Sequence, residues 1–323
     1  MVVWRLERRL RLLALSLAVL LIVLGVALLE GPSVDKGEGV KHQYIVVGGM
    51  KREYYVYRPG EADPRVLVIL LHGGGGSAER MMKTVGAGFN DYARQYGYLL
   101  AYLQAAGAAW NNGLEAVGVD VDDVGFVKAV IEVAASRYNV THVFLVGMSS
   151  GGMMALRAAC EIGYMIDGVA AVSANLPSSI AGECKLTGET GLLIIHGTMD
   201  PIVPWEGGPV RALGRERGEV LSTWDTVGFW LKANGCRNQS APTHVIDRVD
   251  DGTRVEFYDF RCKGAPVLLY KIVGGGHPWP GAPSRLPERV VGRGCKEIDA
   301  TKLVIDFINR MVGRDPEGNL RSS

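Results

Sequence analysis

The sequence predicts an α/β domain with a mostly parallel sheet, an antiparallel hairpin at its start and helices on both faces. Three observations lead there. Continuous apolar runs of strand length recur at 66–71, 99–103, 143–146, 169–172 and 192–195; runs without polar alternation belong to strands covered on both faces, as in parallel sheets. Helix-length stretches separate them at 78–96, 122–138 and 151–160, the alternation that crossover connections require. Two β-rich runs, 42–47 and 53–57, flank Gly48-Gly49 ahead of the first apolar run, which is a hairpin signal.

Taken in order, the chain opens with Arg5, Arg8, Arg9 and Arg11, followed by an uncharged apolar run from Leu12 to Leu29. As a helix its 18 residues would extend about 27 Å at roughly 1.5 Å per residue, close to the ~30 Å hydrocarbon thickness of a bilayer. Residues 1–30 are therefore expected to be a signal or an uncleaved anchor, with the arginines cytoplasmic and the remainder extracytoplasmic, either secreted or held at the outer face of the membrane. Residues 31–40 read as a linker, 41–312 as a single catalytic domain and 313–323 as a polar tail. Within the domain, a helix over 221–233, strands near 254–260 and 267–272 and a last helix over 300–311 complete the pattern. Apolar residues make up 48% and charged residues 21% of the chain, which excludes a disordered protein. Thirty-five basic against 34 acidic side chains leave a net charge of +1, and so no electrostatic footprint for nucleic acid.

Five cysteines, Cys160, Cys184, Cys236, Cys262 and Cys295, form no C-x-x-C and no Cys/His spacing suited to zinc. In an exported chain disulfides are expected. Cys236 and Cys262 flank an apparent hairpin, and Cys160 and Cys184 lie either side of a strand and loop, which leaves Cys295 over.

The strongest chemical signal is Gly147-Met148-Ser149-Ser150-Gly151-Gly152, placed between an apolar strand and a helical run. A strand–turn–helix junction this tight needs residues without bulk on either side of the serine, and it lifts the Ser149 hydroxyl over a helix N-terminus. The competing role for Ser149 or Ser150 is a helix N-cap. A second cluster, Leu71-His72-Gly73-Gly74-Gly75-Gly76, follows the first apolar strand; its backbone N–H groups can face a developing negative charge. No Gly-x-x-x-x-Gly-Lys-Ser/Thr is present to make it a phosphate loop, and His72 is expected to structure the loop.

In serine sites of this type the acid and then the histidine follow the serine along the chain. His196, His244 and His277 qualify by order. His277 lies in Gly274-Gly275-Gly276-His277-Pro278-Trp279-Pro280-Gly281, a loop stiff enough to hold an imidazole; His244 reads as a surface residue. His196 ends a strand whose loop also carries Asp200, placed where the orienting carboxylate belongs. The alternatives are an Asx-turn role for Asp200, a packed loop histidine for His277, and Asp250 or Asp251 as the acid.

Together with Trp110-Asn111 and Val121-Asp122-Asp123-Val124-Gly125-Phe126, these motifs resemble the secreted polyhydroxybutyrate-depolymerase and feruloyl-esterase group of α/β hydrolases, over roughly residues 42–312. The resemblance implies an α/β-hydrolase fold and a serine esterase, with Ser149 as nucleophile, His277 as base and Asp200 as acid. It also implies an oxyanion hole from the backbone N–H groups of Gly74 and Ser150, and neither metal nor organic cofactor. Asp122 and Asp123 are expected to hold the fold near the site, and Trp110, Trp205 and Trp279 to line a substrate pocket. Gly74 stands where many polymer depolymerases carry cysteine and Pro278 where threonine is common, and no polymer-binding domain follows residue 312. The expected substrates are accordingly small esters or oligoesters: feruloyl, short-chain or hydroxyalkanoate. A serine peptidase of the same fold and an inactive surface-anchored binding protein are the rival expectations.

Overall fold

A computed structural model describes residues 39–60, 63–114, 121–186, 189–212, 214–237, 239–284 and 286–314. The expected signal or anchor and most of the linker lie outside them, as does the tail beyond Arg314. No helix among the described residues is long and apolar enough to cross a membrane.

Twelve strands are described, ten of them in one sheet. Strand β1 (Gly39–Val47) and β2 (Met50–Arg58) form the opening hairpin. Its two-residue turn uses Gly48 at φ 56° and Gly49 at φ 78°, the paired positive angles whose twist matches the flanking strands. The remaining sheet strands are β3 (Val66–Leu71), β4 (Tyr98–Leu103), β5 (His142–Met148), β6 (Gly168–Val172), β7 (Gly191–Gly197), β10 (His244–Ile246), β11 (Arg254–Phe260) and β12 (Val267–Val273). Their order is β1-β2-β4-β3-β5-β6-β7-β12-β11-β10. The six strands from β4 to β12 run parallel, and an antiparallel pair closes each side. The opening hairpin is the expected edge; β10 and β11 are the apparent hairpin flanked by Cys236 and Cys262, joined to the main sheet through β12 as its second antiparallel edge. A separate ribbon, β8 (Gly208–Ala212) with β9 (Arg215–Val220), escaped the sequence reading. Its strand Arg-Glu-Arg-Gly-Glu-Val is too charged to carry an apolar strand signal.

The central strand shows why the apolar runs are unbroken. Val66, Val68 and Leu70 of β3 enter one core layer, and Leu67, Ile69 and Leu71 enter the other. Helices cover both layers. On one face lie α3 (Asp123–Arg137), α4 (Ser150–Ile162) and α6 (Thr223–Ala233), and on the other α2 (Ala87–Tyr96) and α8 (Ala300–Met311). The single helix expected over 78–96 is three segments: α1 (Ala78–Met81), a π-turn (Met82–Gly86) and α2. The π-turn brings the Gly86 carbonyl to the buried Tyr102 hydroxyl, which donates to it at 3.3 Å. Short helical turns α5 (Ser178–Ala181) and α7 (Glu288–Val291) sit in connecting loops.

Two disulfides join Cys160 to Cys184 and Cys236 to Cys262, closing spans of 24 and 26 residues, and Cys295 is free and buried. The first ties the end of α4 to the loop before β7, and the second ties the loop after α6 to the end of β11.

Candidate active site

Parallel strands all end at one edge of the sheet, and the residues picked out by sequence follow the ends of four of them. His72-Gly73-Gly74 follows β3, Ser149 follows β5, Asp200 follows β7 and His277 follows β12.

Ser149 has φ 53° and ψ −122°, and it is one of two non-glycine residues with positive φ among those described. Such a conformation costs on the order of 1–3 kcal/mol and persists only where its surroundings enforce it. Here the close approach of the strand to the helix enforces it. A Cβ at Gly147 would run into the Gly151 carbonyl, and a Cβ at Gly151 would run into the carbonyl of Leu71. Ser149 occupies the N-cap position of α4, yet its side chain makes no capping bond. The hydroxyl is thus not consumed by the helix.

The glycine loop after β3 lies against this turn. A Cβ at Gly73 would sit 3.6 Å from that of Ser149, and one at Gly74 would sit 3.8 Å from that of Ser150. The Gly75 and Gly76 amides are used, bonded to Ala108 and Gly73. The Gly74 and Ser150 amides make no hydrogen bond among the described residues. Two unused N–H groups beside a serine hydroxyl, one at a helix N-terminus, form a place where negative charge is favoured.

His72 shapes that loop, as expected. Its Nδ1 lies 2.8 Å from the Gly73 carbonyl oxygen, and its Nε2 accepts the Ala105 amide at 3.1 Å. Burial pushes its proton affinity down, so the ring is neutral and Nδ1 carries the hydrogen.

The acid and the histidine meet. His277 Nδ1 is 2.7 Å from Asp200 Oδ2, and both residues are buried. Asp200 Oδ1 accepts the amides of Ile202 at 2.8 Å and Val203 at 3.0 Å. The Asx-turn reading and the orienting-carboxylate reading are therefore both satisfied, one oxygen to each. Burial alone would raise the Asp200 proton affinity. The charge of His277 and hydrogen bonds from His196 and His277 outweigh it and hold the carboxyl well below the ordinary carboxylate range. An ionised carboxylate only accepts, so His277 carries a hydrogen on Nδ1.

The His277 backbone is clamped from three sides. Its amide donates to Val291 and the neighbouring Gly276 amide to Arg293, each at 2.7 Å. Ser173 Oγ donates to the His277 carbonyl at 3.0 Å. Ser173 is the second residue with positive φ, at 50°, and directly follows Val172, whose carbonyl accepts the Ser149 amide at 2.9 Å. That chain of bonds carries His277 back across the sheet from the end of β12 towards the end of β5. Ser149 Oγ and His277 Nε2 have no hydrogen-bond partner among the described residues, and neither is sealed from solvent.

Several supporting residues were not legible in the sequence. Asn112 is fully buried; its Nδ2 donates to Ser150 Oγ at 3.0 Å and lies 3.3 Å from the Ser150 carbonyl oxygen. Beneath it, Arg52 on β2 pairs with Asp123 at 2.5 Å, both side chains being almost wholly buried. Asp123 also accepts the Asn111 amide at 2.6 Å, and Asp122 caps α3 by accepting from Gly125. The expectation that these aspartates hold the fold near the site is matched by those contacts.

The tryptophan expectation is corrected. Trp110 is 0% exposed, with its indole N–H donated to the His72 carbonyl at 2.8 Å. Trp279 is packed edge-on against Phe89 and bonded to Thr301. Trp205 lies buried between His196 and Trp224. All three brace loops, because a large ring contributes most when both of its faces are covered. The rival acid Asp251 is engaged in a turn, accepting from Thr253 and Lys296, and His244 lies on the exposed edge strand. Among the described residues no group of three or more His, Cys, Asp or Glu is arranged to hold a metal ion.

Comparison with known proteins places the chain among esterases. The Phospholipase/Carboxylesterase family pattern matches residues 125–210, a span that contains Ser149 and Asp200. A protein of Nocardia uniformis subsp. tsuyamanensis named "Putative esterase NocK" is 33% identical over 281 residues, covering 82% of this chain and 81% of its own. "Feruloyl esterase B" of Piromyces equi is 30% identical over 223 residues, covering 65% of this chain but 39% of its own. Among solved structures, the acetyl xylan esterase of Aspergillus awamori superposes with a TM-score of 0.52 at 16% identity, over 74% of this chain and 94% of that one. The last likeness is one of fold.

Proposed function

The chain belongs to the esterase group of α/β hydrolases, and from that premise we propose that it cleaves small carboxylic esters through an acyl-enzyme on Ser149, with His277 as base and Asp200 as acid. The observation that carries the proposal is the 2.7 Å bond from His277 to a buried, ionised Asp200, in a loop tied back towards Ser149.

In the first half-reaction the Ser149 oxygen adds to the ester carbonyl carbon while its proton passes to His277 Nε2. The carbonyl oxygen becomes an oxyanion on the Gly74 and Ser150 amides. Asp200 stabilises the imidazolium without taking its proton. Collapse of the tetrahedral intermediate expels the alcohol, which leaves with the proton from His277. In the second half-reaction water gives a proton to the same nitrogen and its oxygen adds to the acyl carbon. The acid then departs and Ser149 is reprotonated. No step in this scheme requires a metal or an organic cofactor.

The substrate classes in the proposal are feruloyl, short-chain aliphatic and hydroxyalkanoate esters; feruloyl esters enter through the named activity of the Piromyces equi relative. The two disulfides support work in an oxidising, extracytoplasmic compartment. The test is a rate comparison across methyl ferulate, nitrophenyl esters of graded acyl length, hydroxybutyrate oligomers and an aminoacyl anilide. The proposal expects turnover of at least one ester class and none of the anilide. Anilide cleavage that outpaces every ester would replace this reading with a peptidase.

A further inference from the structure

Asp200 serves two histidines. The oxygen that accepts from His277 Nδ1, Oδ2, also lies 3.3 Å from Nε2 of His196. His196 stands at the end of β7, four residues before Asp200, and is 0% exposed. Its Nε2 is also 3.0 Å from the Val203 carbonyl oxygen, and its Nδ1 is 3.1 Å from Thr223 Oγ1. A carboxylate and a carbonyl can only accept, so Nε2 must carry the hydrogen. Nδ1 is then a bare acceptor and takes the Thr223 hydroxyl proton. The arrangement is closed by Trp205, whose ring packs against His196 and whose carbonyl accepts the Thr223 amide at 2.8 Å.

A buried histidine with both nitrogens engaged can simply be a satisfied polar residue of the core. What separates His196 from that role is the atom it reaches, the same carboxylate oxygen that holds His277. We propose that His196, held in its Nε2–H form by the Val203 carbonyl and Asp200, is a positioning residue that shares Asp200 Oδ2 with His277 and thereby sets how strongly Asp200 holds the His277 imidazolium. The inference rests on the Ser149–His277–Asp200 reading above.

Its sign follows from hydrogen-bond competition. Each donor on Oδ2 draws electron density from the other, so the His196 N–H weakens the pull of Asp200 on the His277 proton. His277 therefore stays a free base to lower pH than it would with Asp200 to itself. The same N–H also holds the carboxylate rotamer, complementing the Ile202 and Val203 amides on the other oxygen. His277 and His196 are the two titratable groups that act on Asp200. Removing the His196 hydrogen bond should therefore move the acid limb of kcat/KM upward in pH and lower kcat, with little change in KM.

The experiment measures the pH profile of kcat/KM on a nitrophenyl ester for the full chain and for Thr223→Val, His196→Leu and His196→Gln, each normalised by active-site titration with a fluorophosphonate. Gln places an N–H close to the position of Nε2. Thr223→Val removes the Nδ1 partner while Asp200 and Val203 still hold the Nε2 hydrogen, so it is expected to raise the acid limb by at most about half a pH unit, the scale of one neutral hydrogen bond. His196→Leu is expected to raise it further and reduce kcat about tenfold, and His196→Gln to restore most of both. An acid limb that stays in place in His196→Leu overturns the inference; so does a His196→Gln protein no better than His196→Leu. Loss of labelling in Ser149→Ala with an unmoved limb sinks this inference alone. Labelling that survives Ser149→Ala sinks the underlying reading and takes this inference with it.

Discussion

The two sides of the site are built in opposite ways. On the acid side, both oxygens of Asp200 and Nδ1 of His277 are engaged, and backbone bonds clamp the His277 loop at its amide and its carbonyl. On the nucleophile side, the Ser149 hydroxyl and the Gly74 and Ser150 amides have no partner among the described residues, and the Ser149 backbone is strained. In the proposed scheme the groups that only orient are saturated, and the groups that would meet a substrate are left open. A buried open donor costs free energy unless something fills it, so the open set is where binding energy can be concentrated on a transition state.

That contrast can be broken or sharpened by substitution. Ser149→Ala removes the one group that reacts, and turnover of a nitrophenyl ester should fall by about 10⁶-fold with the thermal transition unchanged. Asp200→Asn spares the nucleophile but upsets the His277 tautomer, and a loss of about 10⁴-fold is expected in kcat. Asn112→Ala leaves Ser149, His277 and Asp200 in place and releases Ser150, along with the Leu114 amide that Asn112 also holds. Its effect should be smaller, about 10–10² in kcat with KM held, the scale of a misplacement near 1 Å. Steady-state kinetics on the three proteins checks the order; Asn112→Ala matching Ser149→Ala would mean that the open side is not separable from its support.

Two stability measurements probe the saturated side. Asp200 has a lower proton affinity folded than unfolded, so its stabilising contribution is complete above the unfolded carboxylate value and is lost as pH falls through the folded one. Chemical denaturation from pH 6 to pH 2 should show stability falling on the acid side, with a shallower fall in Asp200→Asn. The smallest local effect on chemistry is expected from the paired change Cys160→Ser and Cys184→Ser. It should cost about 3 kcal/mol of stability in the chain-entropy account while leaving the kcat of the folded protein close to unchanged.

How much of this was legible in the sequence follows from the range of the interactions. Strands β3 to β7 and the last helix announced themselves because a strand covered on both faces must be apolar throughout, and because glycines mark its ends. The strand-end positions of Ser149, Asp200 and His277 were legible for a related reason: each follows a strand within a local pattern of glycine or proline. Of the supports, Asp122 and Asp123 were legible through the motif they sit in, but their partners were not. Arg52 and Asp123 are 71 residues apart, and Asn112 and Ser150 are 38 apart, so no local periodicity links them. The three tryptophans misled because composition near a motif says nothing about which way a ring faces. The charged ribbon β8–β9 carries too little apolar signal to be read as strands at all.

The central claim is that Ser149 becomes covalently acylated with His277 as its base. Intact-mass and peptide-level mass spectrometry after quenching with a slowly deacylating nitrophenyl ester tests it most directly. The account predicts a single acyl adduct on the peptide bearing Ser149, absent in Ser149→Ala and formed far more slowly in His277→Ala. An adduct on another residue, or ester turnover that persists in Ser149→Ala, would contradict it.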